Sequence, residues 1–288
     1  MTESASRPDP AESLRAQCDA WSAAAPGWDR YFHVFEAFAG PLGIELARLA
    51  HVDAGKRVLD VGCGNGEPSL AIARLVAQSG RVVGIDLAEP MVTIARRRAT
   101  DARVRNVEFF ARDASDLSGL GSFDAAVSRF AIMLTPEPAA VARAVHSVLR
   151  PGARFAACVW GEATEVPYCT IAPNVLQRVL HVDAPHPEAP GPVRLGKPGA
   201  LEDVLRAGGF TDVVESVVRV EPSFASVDEG VRFYLEGSGA VRRALEGRTE
   251  AERALVLAEL ERALAKRREA DGRVLLPSTV RIAHGTAA

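Results

Sequence analysis

The stretch RVLDVGCGNG at residues 57–66 decides the fold of this chain. Its apolar beginning predicts a buried strand. The glycines at positions 62, 64 and 66 predict a turn in which the backbone passes close to a ligand, because glycine has no Cβ in the way. A second apolar run at residues 81–85 ends at Asp86. A glycine turn after one strand and a carboxylate at the end of the next are typical of an open α/β sheet that holds a ribose-bearing cofactor.

The residues around these glycines exclude two phosphate-binding motifs. The GxGxxG fingerprint of dinucleotide-binding proteins requires glycine at position 67 or 69, where this chain has Glu67 and Ser69. The P-loop pattern GxxxxGK[ST] does not occur in the sequence. The chain instead carries an acid, Asp60, two residues before Gly62. That acid disfavours a phosphate and favours a cofactor with a positively charged amine.

With these residues the sequence resembles the class I S-adenosylmethionine (SAM)-dependent methyltransferases, in particular the ubiquinone/menaquinone-biosynthesis type. The resemblance rests on the glycine motif, on Asp86, on ARDA at residues 111–114 and on FDAAVSR at residues 123–129. It covers residues 25–285 in order and is best over residues 57–160. It implies methyl transfer from SAM to O, N or C of a small molecule, with S-adenosylhomocysteine as product. The long, mixed apolar and polar cap favours an apolar or aromatic acceptor, and the Ala- and Arg-rich composition is associated with secondary metabolism. Two alternatives stay open: other chemistry on the same fold, such as cyclisation, and a SAM-binding module without activity.

Composition sets further limits on the chain. Its 288 residues are 48% hydrophobic, enough for one sizeable core or a core with a small cap, and the net charge of −3 argues against a nucleic-acid partner. No apolar run is long enough for a membrane span, and no signal peptide opens the chain. The four cysteines form no CxxC pair, which indicates reduced thiols in a cytoplasmic protein. No cluster of metal ligands stands out, so no metal is expected, and the oligomeric state cannot be read.

Strand and helix patterns alternate from about residue 41 to residue 160, which favours a parallel sheet between helices. Together with the resemblance, they predict an α/β fold with a Rossmann-like, seven-stranded, mostly parallel sheet. Its last strand is expected to be antiparallel, and helical cap segments to be added to it. The first helix of the core is expected to begin at Pro41. The basic run Arg96–Arg98 is interpreted as a solvated helix face.

Four segments follow from this pattern. They are an N-terminal helical lid at residues 1–40 whose first ten residues form a disordered lead-in, a SAM-binding core at 41–160, a proline-rich, weakly periodic substrate cap at 161–198, and the C-terminal part of the core at 199–288 with a helical insertion at 225–271.

The resemblance assigns the methionine and ribose parts of SAM to two strand ends. Gly62 and Gly64 are expected to lie against the methionine portion, and Asp60 to orient its amine. Asp86 is expected to accept both ribose hydroxyls in charge-assisted hydrogen bonds; the alternative is that it caps the helix that follows, and both roles can hold together. Leu87 beside it is included in the cofactor site.

Three further positions are assigned to the adenine and the amine. Met91 is expected to pack on the adenine face, or else to belong only to the core. Asp113 would accept a hydrogen bond from the adenine amino group while the Ala114 amide reaches the ring, unless Asp113 is an exposed turn acid. Ser128 is expected to offer its backbone carbonyl to the SAM amine.

Candidates for acceptor contacts and catalysis come mainly from the aromatic segment WDRYFHVFEAF at residues 28–38. Trp28 and Phe32 are expected to contact substrate, unless these aromatic residues only dock the helix on the core. For an acceptor that needs a general base, Tyr31 and His33 are the candidate catalytic residues.

Two later residues complete the predicted acceptor site. Arg129 follows the Ser128 position and would meet a negative group of the substrate, or else form a structural salt bridge. Tyr168 follows the fifth strand, where members of the family place substrate contacts.

Overall fold

The computed structural model describes residues 9–288, so most of the expected lead-in lies outside the described residues. Helix α1 spans Pro10–Arg30 and is capped by Asp9, whose carboxylate accepts hydrogen bonds from the next turn of backbone amides. Helix α2 spans Phe32–Leu49 and contains Pro41. The predicted helix start at Pro41 is therefore wrong. The buried face of α2 continues on both sides of the proline, from Val34 to Leu46, and holds the helix together across it.

Seven strands form one sheet, as the sequence predicted. They are β1 (Arg57–Val61), β2 (Arg81–Asp86), β3 (Val107–Ala111), β4 (Phe123–Arg129), β5 (Leu149–Trp160), β6 (Phe210–Val220) and, last in the chain, β9 (Ser278–Ala287). Their order in space is β3-β2-β1-β4-β5-β9-β6, and β9 runs antiparallel to both β5 and β6. The predicted fold class is confirmed, including the antiparallel last strand.

Eight more helices cover the sheet and its ends. They are α3 (Ser69–Leu75), α4 (Glu89–Asp101), α5 (Pro138–Val148), α6 (Pro167–Leu180), α7 (Ala200–Ala207), α8 (Val227–Gly237), α9 (Gly239–Leu245) and α10 (Glu250–Ala265). Helix α6 lies in the segment described from sequence as weakly periodic. Its prolines, Pro167 at the first turn and Pro173 inside, hid a helix that buries Tyr168, Val175 and Leu176.

Helices α8, α9 and α10 stand between β6 and β9, together with a two-stranded ribbon of β7 (Ser223–Phe224) and β8 (Val274–Leu275). Helix α10 packs on α6, while α8 and α9 pack on α1. The residues between the last two strands of the sheet therefore hold the N-terminal helix in place. No helix within residues 9–288 has the length and apolar character needed to cross a membrane.

The strand order reverses beside β1. Strands β2 and β3 lie on one side of it, and β4 and β5 lie on the other. In open α/β sheets, ligands bind in the crevice outside the carboxyl ends of the strands at such a switch point. The fold thus places a candidate site at the ends of β1 and β4.

Candidate functional site

A cavity opens at this switch point beneath α1. It holds about 1010 Å³ of empty space including its open mouth. Two groups of residues in its wall differ in their chemistry and are called the carboxylate side and the aromatic side. The carboxylate side follows β1, β2 and β3 and consists of Gly62, Gly64, Asp86, Leu87, Met91, Asp113 and Ala114. The aromatic side comes from the helices, from the loop between β1 and α3 and from the end of β4, and consists of Trp28, Phe35, Glu67, Arg129, Phe130 and Leu134.

The glycine turn after β1 shapes the floor of the cavity. At Gly62, where φ is +78°, a Cβ would lie 2.0 Å from the Cβ of Ala131, so this glycine lets the two loops touch. At Gly64, where φ is +51°, a Cβ would meet no protein atom within 4 Å. Gly64 therefore turns its open face to the cavity, and a ligand can approach the backbone there.

Asp86 at the end of β2 is held by backbone amides. Its Oδ2 accepts a hydrogen bond from the Gly64 amide at 2.9 Å, and its Oδ1 accepts one from the Ala88 amide at 3.0 Å. Burial raises the pKa of the Asp86 carboxyl, while the amide hydrogen bonds act in the opposite direction. Each oxygen keeps a second lone pair, so the carboxylate can still accept two hydroxyl donors. Asp86 does not itself occupy the N-cap position of α4, which belongs to Ala88.

Four other residues that were predicted to bind SAM also lie on the carboxylate side. Leu87 and Ala114 line the cavity. Met91 lines it too and is buried against Ala25 of α1, so the cavity and core roles both hold for its side chain. The Asp113 carboxylate accepts hydrogen bonds from the amide and the hydroxyl of Ser115, at 2.9 and 2.8 Å. Asp113 is thus at once a turn acid and part of the cavity wall.

Asp60 and Ser128 lie behind this wall. Asp60 is completely buried; its Oδ2 accepts a 2.5 Å hydrogen bond from the Ser69 hydroxyl, and its Oδ1 has no partner within residues 9–288. Burial raises the pKa of Asp60 to about 6, against the opposing effects of Ser69 and the positive charge of Arg129. The Ser128 hydroxyl donates to the Val61 carbonyl within the sheet. The next three residues, 129–131, form the cavity wall in its place.

Helix α1 closes the cavity from above. Its Leu14, Gln17, Trp21 and Trp28 face the space. Asp29 forms ion pairs with Arg97 and Arg98 of α4, and the Arg98 guanidinium lies 3.5 Å from the centre of the Phe32 ring. The basic run on α4 is therefore not simply a solvated face, because two of its arginines fasten the lid. Phe32, predicted to contact substrate, belongs to this clamp and does not line the cavity.

The structure does not bring the other predicted acceptor residues of the lid and cap to the cavity, apart from Trp28. The Tyr31 hydroxyl donates to Glu236 at 3.3 Å, and burial together with that carboxylate raises the pKa of Tyr31. His33 is 69% exposed and pairs with Glu229. Tyr168 is buried among aromatic rings between α2 and α8, where burial raises its pKa well above the usual value. This geometry gives no support to the catalytic roles of Tyr31 and His33 or to a substrate contact by Tyr168.

Arg129 lines the cavity, but its guanidinium is already occupied. It forms a two-point ion pair with Glu36 of α2 and donates to the carbonyls of Ala39 and Glu67 at 2.8 and 2.9 Å. These contacts fit the structural salt bridge that the sequence left open as an alternative. Removing Glu36 would leave a buried cation without its counter-charge.

Sequence reasoning missed several cavity residues. Trp21 and Gln17 lie on a helix whose length was not foreseen, and Phe130 adopts φ +57° directly after β4. Glu67 was noted only as the residue that breaks a dinucleotide fingerprint. Its position directly after the glycine turn was the available signal, because this turn places its residues around the ligand.

Comparisons with known proteins agree with this geometry. A family model described as a methyltransferase domain matches residues 52–177. The chain is 32% identical over 202 residues to nocamycin O-methyltransferase of Saccharothrix syringae, covering 65% of this chain and 72% of that protein. It is 39% identical over 117 residues to a ubiquinone biosynthesis O-methyltransferase of Xanthomonas axonopodis pv. citri, covering 40% of this chain and 47% of the relative.

Demethylmenaquinone methyltransferase of Listeria monocytogenes is 32% identical over 124 residues, which are 43% of this chain and 52% of the relative. The chain therefore spans about half the length of the ubiquinone and menaquinone relatives that it matches.

Solved structures share the fold at low identity. YcgJ from Bacillus subtilis superimposes with a TM-score of 0.55 at 17% identity, covering 86% of this chain and 97% of the other. The [4+2]-cyclase SpnF superimposes with a TM-score of 0.52 at 21% identity, covering 85% and 80%.

The sheet order, the glycine turn and the amide-held carboxylate together define a class I SAM-binding fold. The chain belongs to the class I SAM-dependent methyltransferases, and it is an enzyme of that type with SAM as its cofactor.

Proposed function

We propose that this enzyme transfers the methyl group of SAM to an oxygen of a small apolar or aromatic metabolite. The observation that carries the proposal is the continuity of one cavity, in which the carboxylate side meets a wall built from Trp28, Phe35 and Phe130. Relatives named for O-methylation, including nocamycin O-methyltransferase, support oxygen as the acceptor atom. Aklanonic acid methyltransferase, 32% identical over 121 residues, is a further named relative.

The carboxylate side fits SAM by the chemistry of its donors and acceptors. Asp86 would accept the two ribose hydroxyls, while Leu87 and Met91 would pack on the adenine and Ala114 would offer its amide to the ring. Gly64 leaves open the space that the methionine portion needs. SAM supplies an electrophilic methyl group on a positively charged sulfur.

Asp60 would act on the SAM amine from behind the wall. Its unpartnered Oδ1 is a buried acceptor without a donor, and an ammonium group held through loop amides or water would supply one. Asp113 keeps its hydrogen bonds to Ser115 and would accept the adenine amino group with its remaining lone pairs. The Ser128 carbonyl would be the second acceptor for the SAM amine.

The aromatic side would receive the acceptor molecule. Its rings lie in contact with one another: Trp28 and Phe35 are 4.9 Å apart between centroids, and Phe35 and Phe130 are 5.8 Å apart. Such a wall buries flat apolar rings and keeps water away from the methyl group, which speeds the loss of charge at the sulfur. The proposal keeps the division of the chain expected from the sequence, with residues 1–40 as lid, 41–160 as SAM-binding core, 161–198 as substrate cap, and 199–288 as the C-terminal part of the core with a helical insertion at 225–271.

The test combines binding with product mass. Thermal unfolding is measured with SAM, with S-adenosylhomocysteine and with NAD, because a ligand at a hundred times its Kd stabilises by about 2.7 kcal/mol. We expect a rise in Tm with the first two ligands and none with NAD. A gain of one methylene unit in an incubated aromatic acceptor demonstrates transfer, whereas an isomer of unchanged mass would indicate cyclisation. A protein that binds SAM but modifies no acceptor would fit the binding-module alternative.

A further inference from the structure

We infer that Glu67 is the general base of this enzyme and takes the proton from a neutral hydroxyl group, so that the acceptors are phenols or enols. The inference rests on the proposed function and gives its acceptor a chemical class. It follows from where Glu67 lies and from the bonds that the other charged side chains of the cavity already form.

One oxygen of Glu67 is anchored and the other is not. Glu67 lies in the loop between β1 and α3, and its Oε2 accepts a 3.0 Å hydrogen bond from the Ala71 amide. Its backbone carbonyl accepts a hydrogen bond from Arg129, which fixes the main chain as well. Within residues 9–288, no side chain or amide donates to Oε1. Glu67 lines the cavity beside Arg129, and its unbonded Oε1 is not fully buried, so this oxygen is the one that can meet a ligand.

Each of the other charged side chains of the cavity already forms hydrogen bonds or ion pairs within residues 9–288, and Asp86 and Asp113 are assigned to the cofactor. Asp86 accepts two amides, and Asp113 accepts both donors of Ser115. Arg112 donates to the Ser118 carbonyl, and Arg129 is neutralised by Glu36. Within the described part of the wall, Glu67 is thus the titratable group with a free oxygen on the side where the acceptor would lie.

The surroundings of Glu67 suit a base. Burial raises the pKa of the Glu67 carboxyl, the Ala71 amide opposes that rise, and Glu36 of α2 adds to it. Arg129 of β4 and Arg74 of α3 oppose the rise, while Asp60 of β1 is the remaining acid that interacts with Glu67. A carboxylate with a raised pKa holds a proton more strongly than an exposed one, so it takes a proton from a hydroxyl more readily.

The charges on the aromatic side also favour a neutral acceptor over an anionic one. With Arg129 paired to Glu36, no free cation among the described residues of the aromatic side attracts an anionic acceptor, and Glu67 repels one. A neutral hydroxyl can donate to Oε1 and lose its proton as it reacts. The proton moves to Oε1, the acceptor oxygen bonds to the methyl carbon, and the electron pair of the broken carbon–sulfur bond stays on the sulfur. The Glu67 carboxyl then returns its proton to solvent.

The first experiment compares Glu67→Gln with the wild type on a series of phenols and naphthols of graded acidity, with SAM saturating. We expect kcat/KM to fall by about 10²- to 10⁴-fold for weakly acidic phenols, which is the range of general-base catalysis. For nitrophenols that are already ionised at the assay pH the loss should be far smaller, because no proton has to be removed. The thermal shift by SAM should stay unchanged, and Glu67→Asp should recover part of the activity.

The second experiment does not depend on turnover. 4-Nitrophenol is titrated spectroscopically while bound to the complex with S-adenosylhomocysteine. Because two negative charges repel at close range, the bound phenol should ionise at a higher pH in the wild type than in Glu67→Gln. Glu108→Gln, on the exposed face of β3 and outside the cavity, is the matched control and should behave as wild type in both experiments.

The pH profile separates Glu67 from its acidic neighbour. The wild-type kcat/KM should decline as the pH falls through the raised pKa of Glu67, and Glu67→Gln should lack that decline. If the decline instead disappears in Asp60→Asn and persists in Glu67→Gln, the base is not Glu67. Equal losses on all phenols, or a nitrophenol titration that Glu67→Gln does not move, would also overturn the inference.

Failure of the proposed function has a different signature. A wild type that binds SAM and methylates carboxylates but no phenol contradicts the inference alone, whereas methylation of amines only would also contradict oxygen as the acceptor atom. A wild type that binds SAM but neither binds nor methylates any phenol rules out this acceptor class. A wild type whose Tm does not respond to SAM or to S-adenosylhomocysteine contradicts the proposed function itself.

Discussion

The two sides of the cavity are built in different ways. The carboxylate side comes from one continuous stretch, residues 62–114, and Asp86 is held by amides 22 and 2 positions away. On the aromatic side, Trp28 donates its indole N–H to the Gly237 carbonyl, 209 positions along the chain, and its own carbonyl accepts from Asn65. The cofactor wall is thus a local product of the β–α turn, whereas the acceptor wall is a tertiary product of the lid and the insertion.

The largest effect that tests this contrast is expected at Asp86. Asp86→Ala removes the acceptor proposed for both ribose hydroxyls, and each charge-assisted hydrogen bond contributes about 1.5–3 kcal/mol. The Kd for SAM should rise by about 100-fold or more, measured by calorimetry, and the SAM-induced rise in Tm should vanish. Asp19→Asn, at an exposed position of α1, serves as the control. Unchanged SAM binding by Asp86→Ala would remove the carboxylate side from the cofactor site.

The same contrast between local and tertiary structure explains which features of the site could be predicted from the sequence. The strand ends were predictable because each combines an apolar run with a local turn signal, as at Val58–Gly62 and at Asp86. The partners of Tyr31 and His33 could not be predicted, because an aromatic helix pattern does not state which neighbour it packs on; both partners lie on α8.

The remaining misses have similar causes. Arg98 was read as solvated because neither Asp29 nor the Phe32 ring is near it in sequence. Helix α6 was missed because its prolines masked a pattern that tertiary packing supports. Residues whose roles depend on distant partners cannot be assigned from local periodicity.

The next largest effects are expected at Gly62 and Gly64, where one glycine allows close packing and the other leaves space for the ligand. Gly62→Ala would place a Cβ 2.0 Å from Ala131 at a positive φ, so we expect it to lower the free energy of unfolding by about 2–4 kcal/mol. Gly64→Ala carries the backbone strain alone, at about 1–2 kcal/mol, but its methyl enters the cavity. Denaturant titration and SAM affinity are measured for both. Gly62→Ala should lose mainly stability, and Gly64→Ala should lose relatively more SAM affinity; the reverse ranking would contradict the geometry of the turn.

The buried Asp60 should show that a residue of the cofactor site can favour SAM binding while lowering the free energy of unfolding. Since the pKa of Asp60 is raised from 3.8 to about 6, the native state binds more protons than the unfolded state between these values. Stability therefore falls as the pH rises through that window. Asp60→Asn should be more stable than the wild type at pH 8, by at most about 3 kcal/mol, while binding SAM more weakly. The gain should shrink towards pH 4. A variant that is less stable at pH 8 would show that the Asp60 charge is fully compensated.

The smallest expected effect lies at the clamp between α1 and α4. Burial alone would raise the pKa of Asp29, but hydrogen bonds and charge from Arg97 and Arg98 outweigh it and hold the pKa below 3.8. The ion pairs therefore stabilise the fold above that value, and their contribution is lost as the pH falls through the lowered pKa. Because the pairs are partly exposed, Asp29→Asn should cost about 1 kcal/mol or less at neutral pH.

Kinetics can show whether that clamp serves only stability. Helix α1 covers the cavity, so a looser α1 should let SAM leave sooner, and we expect Asp29→Asn to raise the SAM dissociation rate by less than about tenfold. Stopped-flow displacement of SAM by S-adenosylhomocysteine measures that rate, with Asp19→Asn on the same helix as the control. If the dissociation rate rises while the Tm is nearly unchanged, the clamp governs ligand exchange. The aromatic side then controls access to the carboxylate side, although the carboxylate side forms without contributions from the aromatic side. If the Tm falls and the dissociation rate does not change, the clamp only docks α1, and the two sides are coupled through stability alone.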